Sequence, residues 1–164
     1  MISFSREEAI NLLVDSFPQL PLPKITDESF FYSSAPSFDW LSVKDKLWID
    51  VCRNKAESFE GFRSITTLIP DEYYFYYLPA AWIAVFDDPE FFEIIYRSLL
   101  PRQFHKLDQR WRNFISVLNL KQIHTLIIFL KKCKVSINFY ENVMEIDILI
   151  EALENILLDK NKLI

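Results

Sequence analysis

Residues 139–160 read FYENVMEIDILIEALENILLDK. Phe139, Val143, Ile146, Ile150, Leu153 and Leu157 recur at spacings that alternate four and three, which is the seam of a helix with one apolar face. Ile148, Leu149, Ile156 and Leu158 widen that face. The seam runs just under three heptads, too short for a self-sufficient coiled coil, so the expected structure is a helix packed on the core. A homodimer through this helix is the alternative.

Working back from the tail, the same period continues. Asn119-Leu120-Lys121-Gln122 has the form of a capping box, with Asn119 as cap and Gln122 reaching back. Ile123, Leu126, Ile127 and Leu130 follow on one face, and Lys131-Lys132 suit the negative end of a helix dipole. Phe104, Leu107, Trp111, Phe114, Ile115 and Leu118 keep helical spacing after Pro101. Asp87-Asp88-Pro89-Glu90 ends one helix and starts another, with Asp88 as its cap and Phe91, Phe92, Ile95 and Leu99 as its apolar face. Upstream, Pro70-Asp71-Glu72 opens a helix through Tyr73 to Leu78. Pro79 is expected to interrupt or kink it before it resumes over Ala80 to Phe86.

The N-terminal half is less regular. Ser5-Arg6-Glu7-Glu8 is a second capping box, and Ala9, Ile10, Leu13, Val14 and Phe17 predict a helix over residues 6–17, stopped by Pro18. Pro18 to Pro36 holds four prolines and reads as a long loop, either laid over the surface or strapped into the core by its Phe and Leu side chains. A short extended piece at Phe30-Phe31-Tyr32 belongs to the first version. Ser42 is placed to cap a helix over residues 43–55, with Leu47, Trp48 and Val51 inward. Residues 56–69 are irregular; Gly61 marks a turn, and Ile65 to Ile69 is β-branched enough to be extended.

Composition points the same way. Gly61 is the one glycine in 164 residues, whereas hairpin turns and phosphate-binding loops need several residues at positive φ. With 51% apolar residues and 25% charged, the chain has material for a core. A domain of this length buries roughly 70% of the surface its unfolded chain exposes, so metals and disulfides are not needed to hold it. The expected fold is mostly α: a single-domain bundle of about six or seven helices spanning residues 1–164, with a long Pro-rich N-terminal loop. The longest apolar run, Tyr73 to Phe86, is broken by Pro79 and falls short of the ~20 residues of a membrane span. The first residues lack a basic stretch followed by an apolar one, so no secretory signal is expected and the cytoplasm is the default compartment.

The segment from Tyr76-Tyr77-Leu78-Pro79-Ala80-Ala81 to Ile127-Ile128-Phe129-Leu130 resembles an uncharacterised bacterial domain-of-unknown-function family. That family pairs a Tyr-Leu-Pro-Ala helix with a later Leu-x-x-x-Gln…Phe-Leu helix; here the second element is Leu118 to Gln122, then Phe129-Leu130. The resemblance covers between a third and a half of the chain. It implies a small helical bacterial protein, and it implies no activity.

The residues offer little for catalysis. His105 and His124 have no second ligand at metal spacing and lie in no HExxH motif. A GxSxG elbow is excluded by the glycine count. Cys52 and Cys133 read as two buried thiols, with Cys52 beside Asp50 and Arg53 the only candidate for a reactive one. No enzyme, cofactor or metal is therefore expected. The basic residues Arg97, Arg102, Lys106, Arg110 and Arg112 come without a nucleic-acid-binding motif. A net charge of −5 also disfavours phosphate-rich partners.

What remains is a protein partner, basic in character. The acids Asp71, Glu72, Asp87, Asp88, Glu90 and Glu93, with Tyr73, form the expected partner-binding set. Helix-start positions explain most of these acids without any partner. The aromatic run Tyr73 to Tyr77 with Trp82 is too long for one helical face and reads either as interface or as core. The expected function is protein binding, most concretely that of a bacterial immunity protein that inhibits a cognate toxin. A structural or regulatory subunit that self-associates through its C-terminal helix is the alternative.

Overall fold

A computed structural model describes residues 4–23, 45–53, 71–87, 108–136 and 141–161. Helices occupy 76% of these residues and no strand occurs among them, which establishes the mostly α class. The six helices among the described residues are α1 (Arg6–Val14), α2 (Trp48–Arg53), α3 (Asp71–Ala84), α4 (Asp108–Val117), α5 (Leu120–Lys134) and α6 (Val143–Asn161). The extended pieces expected at residues 30–32 and 65–69, the helix after Asp88 and the turn at Gly61 lie outside the described residues. The chain divides into two compact units, Met1–Phe17 with Leu99–Ile164, and Pro18–Ser98.

In the first unit, α5 is the central element. Its start is fixed by the expected capping box: Asn119 Oδ1 accepts from the Gln122 N–H at 2.9 Å, and Gln122 Oε1 accepts from the Asn119 N–H at 3.0 Å. Two orphan donors are thereby satisfied at once. Asn119→Ala is expected to lower the unfolding free energy by about 1 kcal/mol, read from the midpoint of a urea transition. Beyond the cap, Ile123, Leu126, Ile127, Phe129, Leu130 and Cys133 are all buried, a face wide enough to meet two neighbours, α1 and α6.

α1 is held to α5 from both ends. At its start, Ser5 Oγ accepts from the Glu8 N–H at 3.2 Å and Glu8 Oε2 accepts from the Ser5 N–H at 2.8 Å. Just before the cap, Phe4 is buried and sets its ring edge-on against Phe129, centroids 5.7 Å apart. The Lys132 ammonium lies 5.2 Å over the same ring. The helix ends at Val14, short of the expected Phe17. Leu13 O accepts from both the Ser16 and Phe17 N–H groups at 3.1 and 2.9 Å, and a residue preceding proline avoids the helical region. The residues of this turn bond to α5: the Ser16 and Thr125 hydroxyls share a hydrogen bond of 2.6 Å, and Lys121 Nζ donates to the Asp15 carbonyl.

The hydrogen bonds from the Ser5 backbone and hydroxyl hold the Glu8 carboxyl below its ordinary value of 4.5. A depressed folded value means a contribution to stability that is present above pH 4.5 and disappears as the pH falls through the lower, folded value. Glu8→Ala is therefore expected to destabilise at neutral pH. Paired urea titrations should show the gap from the wild type closing on acidification.

The long C-terminal helix α6 packs on α5 through the expected seam. Ile146, Leu149, Ile150 and Leu153 are buried, while Val143 and Leu157 are half-buried at its margins. Phe139 lies outside the described residues. Exposed ion pairs flank the seam, Lys131–Glu154 and Lys134–Asp147, each at 2.6 Å. Such pairs add at most about 1 kcal/mol each, so their main effect is to fix the rotation of α6 on α5. Near its other end, Lys160 Nζ donates to the Ile115 and Leu118 carbonyls at 3.2 and 2.8 Å. It satisfies acceptors that α4 leaves open at its C-terminus.

In the second unit, α2 packs on α3. The helix expected from residue 43 starts instead at Trp48. Asp45, placed inside that helix by its sequence, has φ 62°, a left-handed conformation that no α-helix continues through. In the first turn of α2, Leu47 O accepts from the Asp50 and Val51 N–H groups at 3.0 and 3.2 Å, and the Ile49 N–H donates to Gln19 Oε1 at 3.3 Å. α3 runs unbroken from Asp71 to Ala84, through Pro79. The interruption expected there does not occur. Proline removes one N–H and crowds the turn before it, and the burial of residues 77–85 holds the helix together across that defect. It closes in a tight turn, with Phe86 N–H on Ile83 O and Asp87 N–H on Ala84 O at 3.0 and 2.9 Å. Two phenols tie α3 to the chain before it: Tyr76 Oη donates to Gln19 O at 2.8 Å, and Tyr77 Oη to Lys46 O at 2.7 Å. Of the Pro18–Pro36 loop, residues 18–23 are described. They are pinned by Gln19, and Leu20 points outward at 67% exposure.

Candidate functional site

Among the described residues, no group of His, Cys, Asp and Glu is arranged to hold a metal ion. Cys52 and Cys133 are both buried, and neither is in a disulfide. Desolvation pushes the Cys133 thiol well above its usual range, which suppresses the thiolate that nucleophilic or redox chemistry uses. His124 is an exposed residue of α5, and His105 lies outside the described residues.

The expected partner-binding residues fall into two groups. Asp71, Glu72 and Tyr73 form the first turn of α3, with their side chains outside the described residues. Asp87 lies in the turn beyond the C-terminus of the same helix and is half-buried; Asp88, Glu90 and Glu93 lie outside the described residues. At 1.5 Å per residue, the length of α3 puts Asp71 and Ala84 about 20 Å apart. The helix therefore carries one acidic group at each end. The aromatic run between them mostly faces inward. Tyr77 and Trp82 are buried, and Phe75 and Tyr76 are half-buried. Burial raises the Tyr76 phenol above its ordinary value, in keeping with a protonated hydroxyl that donates to Gln19. The described members of the run are thus core and inter-segment ties.

A surface that the sequence did not single out lies on the outer side of α6. Ile148 and Leu158 were expected to widen the buried face, but the structure turns both outward. Met144 is 70% exposed, Ile148 38% and Leu158 59%. Leu149, by contrast, is buried as expected. The outward line Met144, Ile148, Glu151, Asn155, Leu158 keeps spacings of four and three, and all five side chains are exposed. Glu141, Asp147 and Asp159 are exposed beside it. The helix has no exposed base among its described residues, because Lys160 is half-buried and directed at the α4 carbonyls. At the end nearest α5, the exposed Val135 follows Lys134, whose ion pair with Asp147 brings it beside the start of the strip.

The signal for this second line was present in the sequence as a repeat of period 3.5. It was hidden because an apolar residue beside a buried seam reads as part of that seam. Which flank faces water depends on how far the neighbouring helix reaches around, and here α5 covers one side alone.

No family model matches the chain, and no curated protein and no solved structure matches it either.

Proposed function

We propose that this chain is a protein-binding module, most concretely a bacterial immunity protein that inhibits a cognate toxin by covering it. The observation that carries the reading is the outer face of α6, where three large apolar side chains stand exposed in one line among acids. Isolated exposed apolar residues are ordinary. An apolar line with charged residues along its border has the anatomy of an interface, with an anchoring centre and a polar rim. The net charge of −5 and the acids at the two ends of α3, Asp71 and Glu72 at one and Asp87 followed in sequence by Asp88, Glu90 and Glu93 at the other, favour a basic partner. Charge complementarity of this kind speeds encounter and selects against wrong partners.

The inhibitor reading is tested by expressing the basic protein that the tagged chain retains, alone and together with the chain. Growth arrest by the partner alone, relieved by co-expression, is the expected result. A partner that leaves growth unchanged would remove the toxin from the account and leave a binding role.

A further inference from the structure

We propose that the outer face of α6 docks an amphipathic helix of the partner that carries a basic residue at its centre and an apolar residue one heptad to either side. This inference rests on the binding role above and names the chemistry of what is bound. Met144 and Leu158 lie seven residues before and seven after Glu151, and all three are exposed on the same line of the helix. Ile148 adds a second apolar contact on the N-terminal side of that centre. The strip is about 21 Å long at 1.5 Å per residue, enough for four turns of a partner helix. Helices that meet along a seam of alternating four and three pack side by side at a small angle, so an occupant with the same period matches the strip over its whole length. Methionine at the most exposed position suits such a surface, because its unbranched side chain adapts to the shape laid against it.

The symmetry of the strip argues against a second copy of this chain as occupant. A two-fold pairing that sets Met144 of one copy against Leu158 of the other must place the two Glu151 side chains opposite each other, because Glu151 is the midpoint. A parallel pairing does the same. Like charges at the centre of an interface oppose association, and Glu141 and Asp159 repeat the problem toward the ends. A lysine or arginine at the partner's central position converts that repulsion into an ion pair. Asp147 pairs with Lys134 and Glu154 with Lys131, whereas Glu151 stands exposed at the midpoint of the outward line, where it selects the partner.

The probe is a fluorescently labelled synthetic helical peptide with a central lysine and leucines one heptad on either side, compared with the same peptide carrying glutamate at the centre. Anisotropy titrations against the full chain are expected to show the lysine peptide binding at least tenfold more tightly. Glu151→Lys should reverse the order. The triple substitution Met144→Ala, Ile148→Ala and Leu158→Ala should weaken the lysine peptide at least tenfold with unchanged helicity, since alanine favours the helix at exposed positions. Equal binding of the two peptides, or a preference that survives Glu151→Lys, overturns the inference. So does a dimer of the chain alone, seen in sedimentation equilibrium and dissolved by the triple substitution, because the occupant is then a second copy. A natural partner whose affinity ignores the triple substitution overturns the inference and leaves the binding role intact. The absence of any partner overturns the role itself.

Discussion

Ile146→Asp is expected to unfold the first unit, whereas Ile148→Asp, two residues on and on the outward side of the helix, leaves it folded. Ile146 has no exposure to solvent and sits in the seam that α6 presses on α5. Removing its apolar contacts costs 2–5 kcal/mol by analogy with other large-to-small core changes, roughly. A carboxylate without a partner at such a site adds a desolvation penalty of several kcal/mol more, about as much again. A domain with a total stability of about 5–15 kcal/mol does not survive that loss with a margin. Ile148 is on the outward line, where an added charge changes stability by less than about 1 kcal/mol, including repulsion from Glu151 one turn away. Urea unfolding followed by far-ultraviolet circular dichroism checks both. The comparison also separates two uses of the same helix: if Ile146 and Leu153 formed a dimer seam, their aspartate variants would give a folded monomer, and here they are expected to give an unfolded chain.

The second large effect belongs to Phe129, which is 2% exposed and meets the edge of Phe4. Phe129→Ala is expected to cost about 3–5 kcal/mol. The loss has two parts. One is the cavity in the middle of α5. The other is a loosening of the segment before α1, since Phe4 loses the ring it meets edge-on. A double-mutant cycle with Phe4→Ala should give a coupling of about 0.5–1.5 kcal/mol, the range for an aromatic pair. Phe129→Leu keeps most of the volume and should cost less than about 1.5 kcal/mol, provided the leucine repacks. Equal losses for Ala and Leu would show that ring geometry, rather than volume, governs the site.

Local chemistry in the sequence was a sound guide, and the departures have local causes. Both capping boxes, Ser5 with Glu8 and Asn119 with Gln122, appear as read, because a cap depends on residues within one turn of each other. The buried seam of α6 was legible for the same reason. The start of α2 was not, since the Ile49 N–H finds its acceptor on Gln19, thirty residues away in sequence, and Asp45 adopts a backbone conformation that no periodicity reveals. The continuity of α3 across Pro79 also escaped, because the burial of residues 77–85 outweighs what proline takes from one turn. The candidate surface was the least visible part. Acids flanking helices drew attention to the two ends of α3, whereas Ile148 and Leu158 on α6 were read as more of the core and Met144 was not singled out. Apolar period shows that a face exists; its exposure depends on what the rest of the chain places over it.

The measurement that tests the central claim most directly is capture of partners by the tagged chain from its native host, at low and at high salt, with the triple Met144→Ala, Ile148→Ala and Leu158→Ala variant in parallel. The account predicts one basic protein in stoichiometric amount at low salt, depleted at high salt and lost with the variant. Recovery of the bait alone at both salt concentrations would contradict it.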